Sequence, residues 1–197
     1  MWEKQYDLNY AEGAFGIAVD AAGFVYMHGA IFTGEPGDGY DLLTLKCDAN
    51  GDKIWSKPFN TGKRDYVAHN SIAVDNSGNI YICGWFESDS TPSTSDWFVI
   101  KYDGNGNIVW NKIIASGSDE AAFGITLDSE GFIYVTGVID GYCTHKLDSD
   151  GNVIWETIPG TGTTFGVVVD DAGFVYITGD VNNGTDNDYL TIKYQQN

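Results

Sequence analysis

The sequence is poor in basic residues, with 10 Lys and Arg against 28 Asp and Glu, which gives a net charge of −18. No Lys/Arg-rich run interrupts this acidity, so a phosphate backbone or an anionic membrane would be repelled. We therefore expect neither nucleic acid nor a membrane surface as a partner. Neutral sugars, cations and basic proteins or peptides remain as candidate ligands.

Long apolar runs are also lacking. No stretch approaches the roughly 18 apolar residues of a membrane span, and the start Met1-Trp2-Glu3-Lys4 lacks the profile of a secretory signal. Three cysteines, Cys47, Cys83 and Cys143, show no short metal-type spacing, and we interpret them as free thiols in strands. With 197 residues and 43% hydrophobic content, the sequence predicts one domain over residues 1–197.

What the sequence does contain is an internal repeat. A first segment that closes on a glycine occurs four times: FGIAVDAAGFVYMHG (Phe15 to Gly29), NSIAVDNSGNIYICG (Asn70 to Gly84), FGITLDSEGFIYVTG (Phe123 to Gly137) and FGVVVDDAGFVYITG (Phe165 to Gly179). A second segment follows each time: DLLTLKCDANGDKIW (Asp41 to Trp55), DWFVIKYDGNGNIVW (Asp96 to Trp110), GYCTHKLDSDGNVIW (Gly141 to Trp155) and DYLTIKY (Asp188 to Tyr194). The last copy stops before its Trp strand.

Each copy predicts four short antiparallel strands, because apolar runs rich in Val, Ile, Tyr and Trp alternate with Asp/Asn/Gly clusters. In copy one these are strand A (Gly16 to Asp20), B (Gly23 to Gly29), C (Asp41 to Cys47) and D (Lys53 to Phe59). The connections D-x-x-G and D-x-[ND]-G are typical of tight hairpins. No window has the i, i+3, i+4 pattern of a helix.

The strand missing from the last copy has a counterpart at the start of the chain. Trp2 to Tyr6 aligns with Trp55 to Phe59 and with Trp110 to Ile114. About 50 residues and four strands per repeat is the size of a propeller blade. The sequence therefore predicts an all-β, four-bladed β-propeller whose ring is closed by the N-terminal strand within one chain, so that the protein is a monomer. The alternative is that two chains contribute four blades each to an eight-bladed ring.

The predicted blades are about 7–59, 60–114, 115–158, and 159–197 completed by 1–6. The pattern GIAVDxxGxxYxxG followed by DxxxxKxDxxGxxxW resembles the SBBP family of bacterial β-propeller repeats, and more distantly NHL and PQQ-type blades. The resemblance implies a propeller fold and an exported or surface-associated protein. It says almost nothing about activity, since its motif residues are hairpin glycines, turn aspartates and packing aromatics. No cofactor is expected.

Binding is expected on the face that carries the D to A and B to C connections, because these vary in length and composition. We call it the loop face. Its connections are residues 7–14, 60–69, 115–122 and 159–164 between D and A, and 30–40, 85–95, 138–140 and 180–187 between B and C.

Five residues on this face are the predicted ligand-binding residues: Trp85, His69, Tyr66, Glu12 and Glu120. His69 belongs to a polar stretch that replaces the Ala-Phe-Gly or Thr-Phe-Gly of the other copies. Glu12 and Glu120 lie at equivalent positions of opposite blades, where two carboxylates can bind a cation, orient a sugar hydroxyl or act as an acid/base pair. The alternatives are solvated loop acids and, for Trp85, Tyr66 and Tyr10, packing over blade ends.

The remaining polar residues are weaker candidates for a metal or catalytic site. A metal site from His28, His145 and Cys143 would require residues of opposite blades to converge, so we expect none. The Asp-rich turns at 48–52, 103–107 and 148–152 lack the bidentate Glu of a calcium loop. No nucleophile elbow, phosphate loop, HExxH or CxxC is present.

Three functions stay open from the sequence. The leading one is a non-enzymatic recognition module that holds a glycan or a peptide on the loop face. The second is a polysaccharide hydrolase or lyase in which His69 and a carboxylate such as Glu120 act as base and acid. The third is a structural repeat spacer with no ligand.

Overall fold

The computed structural model of the protein describes residues 1–8, 11–33, 39–88, 94–157 and 160–195. In these ranges the secondary structure is all β, and none of it is a helix able to cross a membrane. The strands are β1 (Ala11–Val19), β2 (Val25–Phe32), β3 (Tyr40–Cys47), β4 (Lys53–Phe59), β5 (Asp65–Tyr66), β6 (Ile72–Val74), β7 (Ile80–Glu87), β8 (Ser95–Tyr102), β9 (Ile108–Ile114), β10 (Glu120–Leu127), β11 (Ile133–Ile139), β12 (Tyr142–Leu147), β13 (Val153–Thr157), β14 (Thr163–Val169), β15 (Val175–Asn182) and β16 (Asn187–Tyr194).

Each sequence repeat forms one antiparallel sheet of strands that follow one another in the chain. The first sheet has the order β1-β2-β3-β4, and the third has the order β10-β11-β12-β13. In the second sheet, β5 and β6 both pair with β7, which continues to β8 and β9. The fourth sheet holds only β14-β15-β16 in the described residues. The all-β class and the recurring sheets agree with the prediction from the sequence. The fourth sheet has no described strand beyond β16.

The predicted closing strand is not formed. Residues 1–8 are not a strand, and β16 pairs only with β15 in the described part of the chain. Trp2 and Lys4 instead bind the turn between β3 and β4, through Ala49 and Asp52. The expectation that Trp2 to Tyr6 completes the last sheet within one chain is therefore corrected. Side-chain contacts with the first sheet hold this segment, and no backbone ladder of described residues joins it to the fourth.

The hairpin turns explain why aspartate recurs in every repeat. In the first turn of copy three, Asp128 Oδ1 accepts backbone hydrogen bonds from Glu130 and Phe132 at 3.0 and 2.9 Å. Its Oδ2 accepts one from the Tyr134 hydroxyl at 2.9 Å. Asx turns of this kind satisfy backbone donors locally. The same carboxylate to tyrosine contact recurs at Asp20 with Tyr26, Asp75 with Tyr81, and Asp170 with Tyr176.

Apolar clusters join the sheets in chain order. Phe98 and Tyr102 pack with Tyr26 between the first and second sheets, and Trp97 packs with Val135 between the second and third. A third cluster joins the third sheet to the fourth, and no such cluster of described residues joins the fourth sheet to the first. The three cysteines are free thiols in strands, as predicted, and all three are buried. The sheets thus stack like propeller blades, and no closed ring of four is formed by the residues that the structure describes.

Candidate functional site

Three β-bulges, in β1, β10 and β14, each carry a phenylalanine ring. We call these first strands of their sheets, together with β5 and β6 of the second sheet, the inner strands. The register shifts between Ala14 and Gly16, so Phe15 is the extra residue of its strand. Phe123 and Phe165 are the extra residues of the equivalent bulges in the third and fourth sheets. Their ring centroids lie 5.4 Å apart. A bulge redirects a side chain within a strand, and here the redirected residue is a phenylalanine in three sheets.

The second sheet departs from this pattern, as its sequence predicts. Asn70 stands where the others have phenylalanine and takes a positive φ of 63°, which interrupts the inner strand between β5 and β6. The Asn70 carbonyl accepts a hydrogen bond from the Ile125 backbone N at 3.2 Å. His69 is exposed, its ring centroid lies 5.6 Å from that of Phe15, and its Nδ1 lies 3.3 Å from the Phe15 carbonyl oxygen. The polar residues thus link the second sheet to its neighbours.

Trp85 and Tyr66 form an aromatic pair in the second sheet, which has Asn70 in place of phenylalanine. They are cross-strand neighbours of β7 and β5, and their rings stack at 5.5 Å with an interplanar angle of 7°. The Trp85 ring also meets Phe123 edge-on at 5.2 Å. Both predicted aromatic residues therefore pack within the loop face. With one face against Tyr66 and an edge contact to Phe123, Trp85 offers little ring surface to a sugar.

The Tyr66 hydroxyl is fixed by a charged pair. It donates a hydrogen bond of 2.8 Å to Glu87 Oε1, and Arg64 lies 3.7 Å from the same oxygen. Burial raises the pKa of Tyr66 above its usual value, the hydrogen bond with Arg64 lowers it, and the hydrogen bond with Glu87 raises it. The phenol therefore stays protonated near neutral pH and acts as a donor.

A cleft of about 400 Å³ opens beside Tyr66, between the first and second sheets. The cleft is lined by the predicted Glu12 and Tyr66, and also by Phe15, Tyr40 and Asp65, which were not predicted from the sequence. Phe15 recurs between copies, which is typical of a packing residue, and Tyr40 starts β3 directly after a variable loop. Phe15 and Tyr40 are 37% and 48% exposed, so aromatic surface is available here beside the exposed Glu12 carboxylate.

The loop carboxylates have a shared structural role that the sequence did not show. Glu12 Oε1 accepts a hydrogen bond from the Leu8 backbone N at 2.8 Å. Asp65 accepts one from the Thr61 backbone N, and Glu120 accepts one from the Ser116 backbone N, each four residues earlier. These acids cap the connections that lead into the inner strands.

Glu12 and Glu120 differ in their surroundings. Glu12 is exposed at the cleft, whereas Glu120 is fully buried in the third sheet, where its Oε2 finds no hydrogen-bond partner in the described part of the chain. His69 contacts Phe15 rather than Glu120. Glu12, Glu120 and His69 thus have separate hydrogen-bond partners among the described residues, and a site that joins them stays a prediction. Tyr10 lies outside the described residues.

The buried histidines also have separate partners. His28 lies between the first two sheets, with its Nε2 2.9 Å from Ser71 Oγ. His145 lies 3.6 Å from Glu156, and its ring centroid lies 5.2 Å from that of Trp97 at an interplanar angle of 43°. Burial lowers the pKa of both imidazoles. Within the ranges described above, no group of three or more His, Cys, Asp and Glu side chains has the geometry to hold a metal ion.

The inner strands of the sheets line a second cavity, of about 600 Å³. Ile17, Asn70, Thr126 and Val168 represent the four sheets in its lining. Tyr176 and Ile177 of β15 and Thr191 of β16 also line it, so the cavity extends over the fourth sheet beyond its first strand.

Comparison with known proteins is consistent with this architecture. Residues 62–85 match the SBBP β-propeller repeat model. An uncharacterized WD repeat-containing protein of Acanthamoeba polyphaga mimivirus is 26% identical over 143 residues, which covers 56% of this chain. The chain spans about a tenth of that relative, since the match covers 10% of it.

A crystal structure of a protein of unknown function from Bacteroides caccae is similar in fold, with a TM-score of 0.58 and 12% identity. The match covers 95% of this chain and 63% of that one. At this identity the likeness concerns the fold alone. The recurring sheets and the matched repeat lead to one conclusion: residues 62–85 are an SBBP-type β-propeller repeat, which confirms the family resemblance drawn from the sequence.

Proposed function

We propose that this chain is a non-enzymatic interaction module that binds a peptide with a lysine or arginine side chain in the cleft between the first and second sheets. The observation that carries the proposal is the meeting of Phe15, Tyr40 and Tyr66 with the exposed Glu12 carboxylate around a cleft of about 400 Å³. A cation over an aromatic face and beside a carboxylate is attracted by both. The β-propeller repeat supports an interaction role, because such folds bind through loops on a rigid scaffold.

The charge of the protein favours a basic peptide over an uncharged sugar. A net charge of −18 raises the association rate of a cationic ligand and repels an anionic one. Trp85 stacks on Tyr66, which lines the cleft, and so holds the Tyr66 ring in place. In this account Trp85 and His69 position the site through Tyr66 and Phe15, while Glu12, Tyr40 and Phe15 contact the ligand.

The experiment is a binding screen against immobilised peptides that carry one Lys or Arg in varied sequence, followed by calorimetry with the tightest peptide. Glu12→Gln keeps an acceptor for the Leu8 backbone N but removes the charge, and we expect about a tenfold loss of affinity. Glu130→Gln is the matched control, because Glu130 is an exposed acid in a hairpin turn of the third sheet. Equal losses in both variants, or binding of glycans but of no basic peptide, would contradict the proposal.

A further inference from the structure

The two end sheets expose surfaces that the inner sheets bury. In each of the first three sheets, the side that faces the next sheet in chain order is covered by it; we call this the forward face. Leu42, Trp97 and Tyr142 occupy one equivalent position on this face, and they are 2%, 0% and 8% exposed. Their equivalent in the fourth sheet is Tyr189, which is 99% exposed. The forward face of the fourth sheet is thus built like the others but left open.

The opposite side of the first sheet is open at β1, whereas Leu45 and Cys47 of β3 on that side are buried and Cys47 contacts Tyr6. Ile72, Ile125 and Val167 pack against the preceding sheet and are 7%, 6% and 7% exposed, whereas their equivalent Ile17 is 70% exposed. A shallow apolar groove of about 110 Å³ lies on this side, lined by Leu8, Met27, Leu43 and Leu45 among others. The first sheet therefore offers the surface that each later sheet presents to its predecessor.

Residues 1–8 lie where the last strand of a preceding sheet would lie. Trp2 Nε1 donates to the Ala49 carbonyl at 3.0 Å, and Tyr6 donates to the Gly51 carbonyl at 2.8 Å. The tryptophans of β4 and β9 make the same contact with the turn of the following sheet. These contacts run from Trp55 to the Gly104 carbonyl at 3.3 Å and from Trp110 to the Ser149 carbonyl at 3.0 Å.

From this arrangement we propose that two copies of the chain join head to tail, each supplying residues 2–6 as the fourth strand beside β16 of the other. Residues 2–6 keep their contacts with their own first sheet and fill the open edge of the partner's fourth sheet. The forward face of each fourth sheet then packs on the first sheet of the other copy. Applied twice about a two-fold axis, this closes an eight-bladed ring.

The register of the new pair follows from the first sheet. There Trp55 pairs with Lys46, Lys57 with Thr44, and Phe59 with Leu42. If residues 2–6 pair with β16 of the partner in the same register, Trp2 lies opposite Lys193, Lys4 opposite Thr191 and Tyr6 opposite Tyr189. Pairing with a second copy explains these surfaces better than closure within one chain. In the single chain the first sheet does not cover the fourth, and both Ile17 and Tyr189 stay exposed.

Charge sets the conditions for this association. Each copy carries −18, so two copies repel at low ionic strength, and salt screens this repulsion. The apolar contacts of the two faces do not depend on that screening. The interface is therefore expected to form more readily at about 0.3 M salt than at about 0.02 M.

The test mixes two full-length variants, one carrying only Lys4→Cys and the other only Thr191→Cys, under mild oxidation. Residues opposite each other on paired strands lie within disulfide range, while the native cysteines are buried. A disulfide between the two introduced thiols, identified by peptide mass spectrometry, can arise in this mixture only between copies. A mixture of Lys4→Cys with Ser129→Cys, which lies on an exposed hairpin turn, is the control.

We expect the linked species in the first mixture at several-fold above the control, and more of it at high salt. Absence of the link from the mixture would overturn the proposal. This holds even if a variant that carries both Lys4→Cys and Thr191→Cys forms a disulfide within one chain. A link that forms only in that double variant, at the mass of a single chain, would show that the chain closes on itself. That outcome would leave the peptide cleft untouched, since the cleft lies between the first two sheets.

Discussion

The indole of Trp2 donates a hydrogen bond of 3.0 Å to the carbonyl oxygen of Ala49, in the turn between β3 and β4. Trp110 makes the same bond to Ser149 in the following sheet. The recurring tryptophan is thus a contact between neighbouring sheets, not a residue internal to one. The last strand of a repeat contacts the sheet that follows it in the chain. Residues 1–8 make the same contact with the first sheet, so they can also pair with a sheet that lies before it.

Trp97 is the anchor between the second and third sheets. It is fully buried, and its Nε1 donates to the Val138 carbonyl at 3.0 Å. Truncation of a buried tryptophan leaves a cavity and costs about 3 to 5 kcal/mol. We expect Trp97→Ala to lower the free energy of unfolding by that amount in urea titrations, and Trp97→Phe to lower it less. A loss below about 1 kcal/mol for Trp97→Ala would contradict the packing described between these sheets.

The glycine that closes each first repeat segment is required by close strand contact. A Cβ built on Gly137 would overlap the Ala121 carbonyl oxygen beside the bulge of β10, and Gly29 and Gly179 meet their neighbouring strands in the same way. Gly137→Ala forces the strands apart, and we expect a loss of about 1 to 3 kcal/mol in the free energy of unfolding. Gly104→Ala is the control, because its nearest neighbour is the Gly78 carbonyl oxygen at 3.5 Å. Equal effects in the two variants would show that the bulge contact is not as tight as described.

His28 makes stability depend on pH. Burial, with a smaller effect of the charge on His69, lowers the pKa of His28 from 6.5 to about 4. Between these values the unfolded chain binds a proton that the folded chain does not. The free energy of unfolding therefore has no loss from His28 above pH 6.5. As the pH is lowered toward 4, it falls by on the order of 3 kcal/mol because of this group.

The variant His28→Thr isolates this effect, since Thr136 occupies the equivalent position in the third sheet. His145 and the carboxylates remain in both proteins, so their contributions cancel in the comparison. We expect the free energy of unfolding of the wild type, relative to the variant, to be lower at about pH 4.5 than at about pH 7. If the difference between the two proteins is the same at both pH values, His28 is not held neutral by burial.

The repeat makes much of the fold predictable. The strand predicted from Lys53 to Phe59 has those bounds in the structure, because its Asp-rich turn marks the start clearly. Strand A is predicted to begin at Gly16, but β1 begins at Ala11. The strand continues through the bulge at Phe15, and a bulge cannot be distinguished from a loop in the sequence alone. The alignment with Trp55 identifies the N-terminal segment as a repeat strand, but its pairing depends on which sheet lies beside it.

The candidate site is less predictable for a physical reason. Comparison of the repeats points to Trp85, because its counterparts in the other copies are not aromatic, and Tyr66 is predicted as an aromatic residue of the loop that leads to His69. Glu120 follows from its equivalence to Glu12, yet burial separates the two environments completely. Tyr40 gives no repeat signal, since its place in the cleft arises only where the first sheet meets the second. Exposure and inter-sheet geometry, which decide what a loop residue can bind, are not encoded in the repeat pattern.

The most direct test of the two-chain ring is the mass of the protein in solution, measured by sedimentation equilibrium over a wide concentration range at about 0.3 M salt. One chain has a mass of 21.5 kDa. The head-to-tail pairing of residues 2–6 with β16 predicts a species of twice that mass, and a shift toward the single chain when Tyr189, which is 99% exposed in one chain, is replaced by Asp. A mass of 21.5 kDa at every concentration would contradict the account.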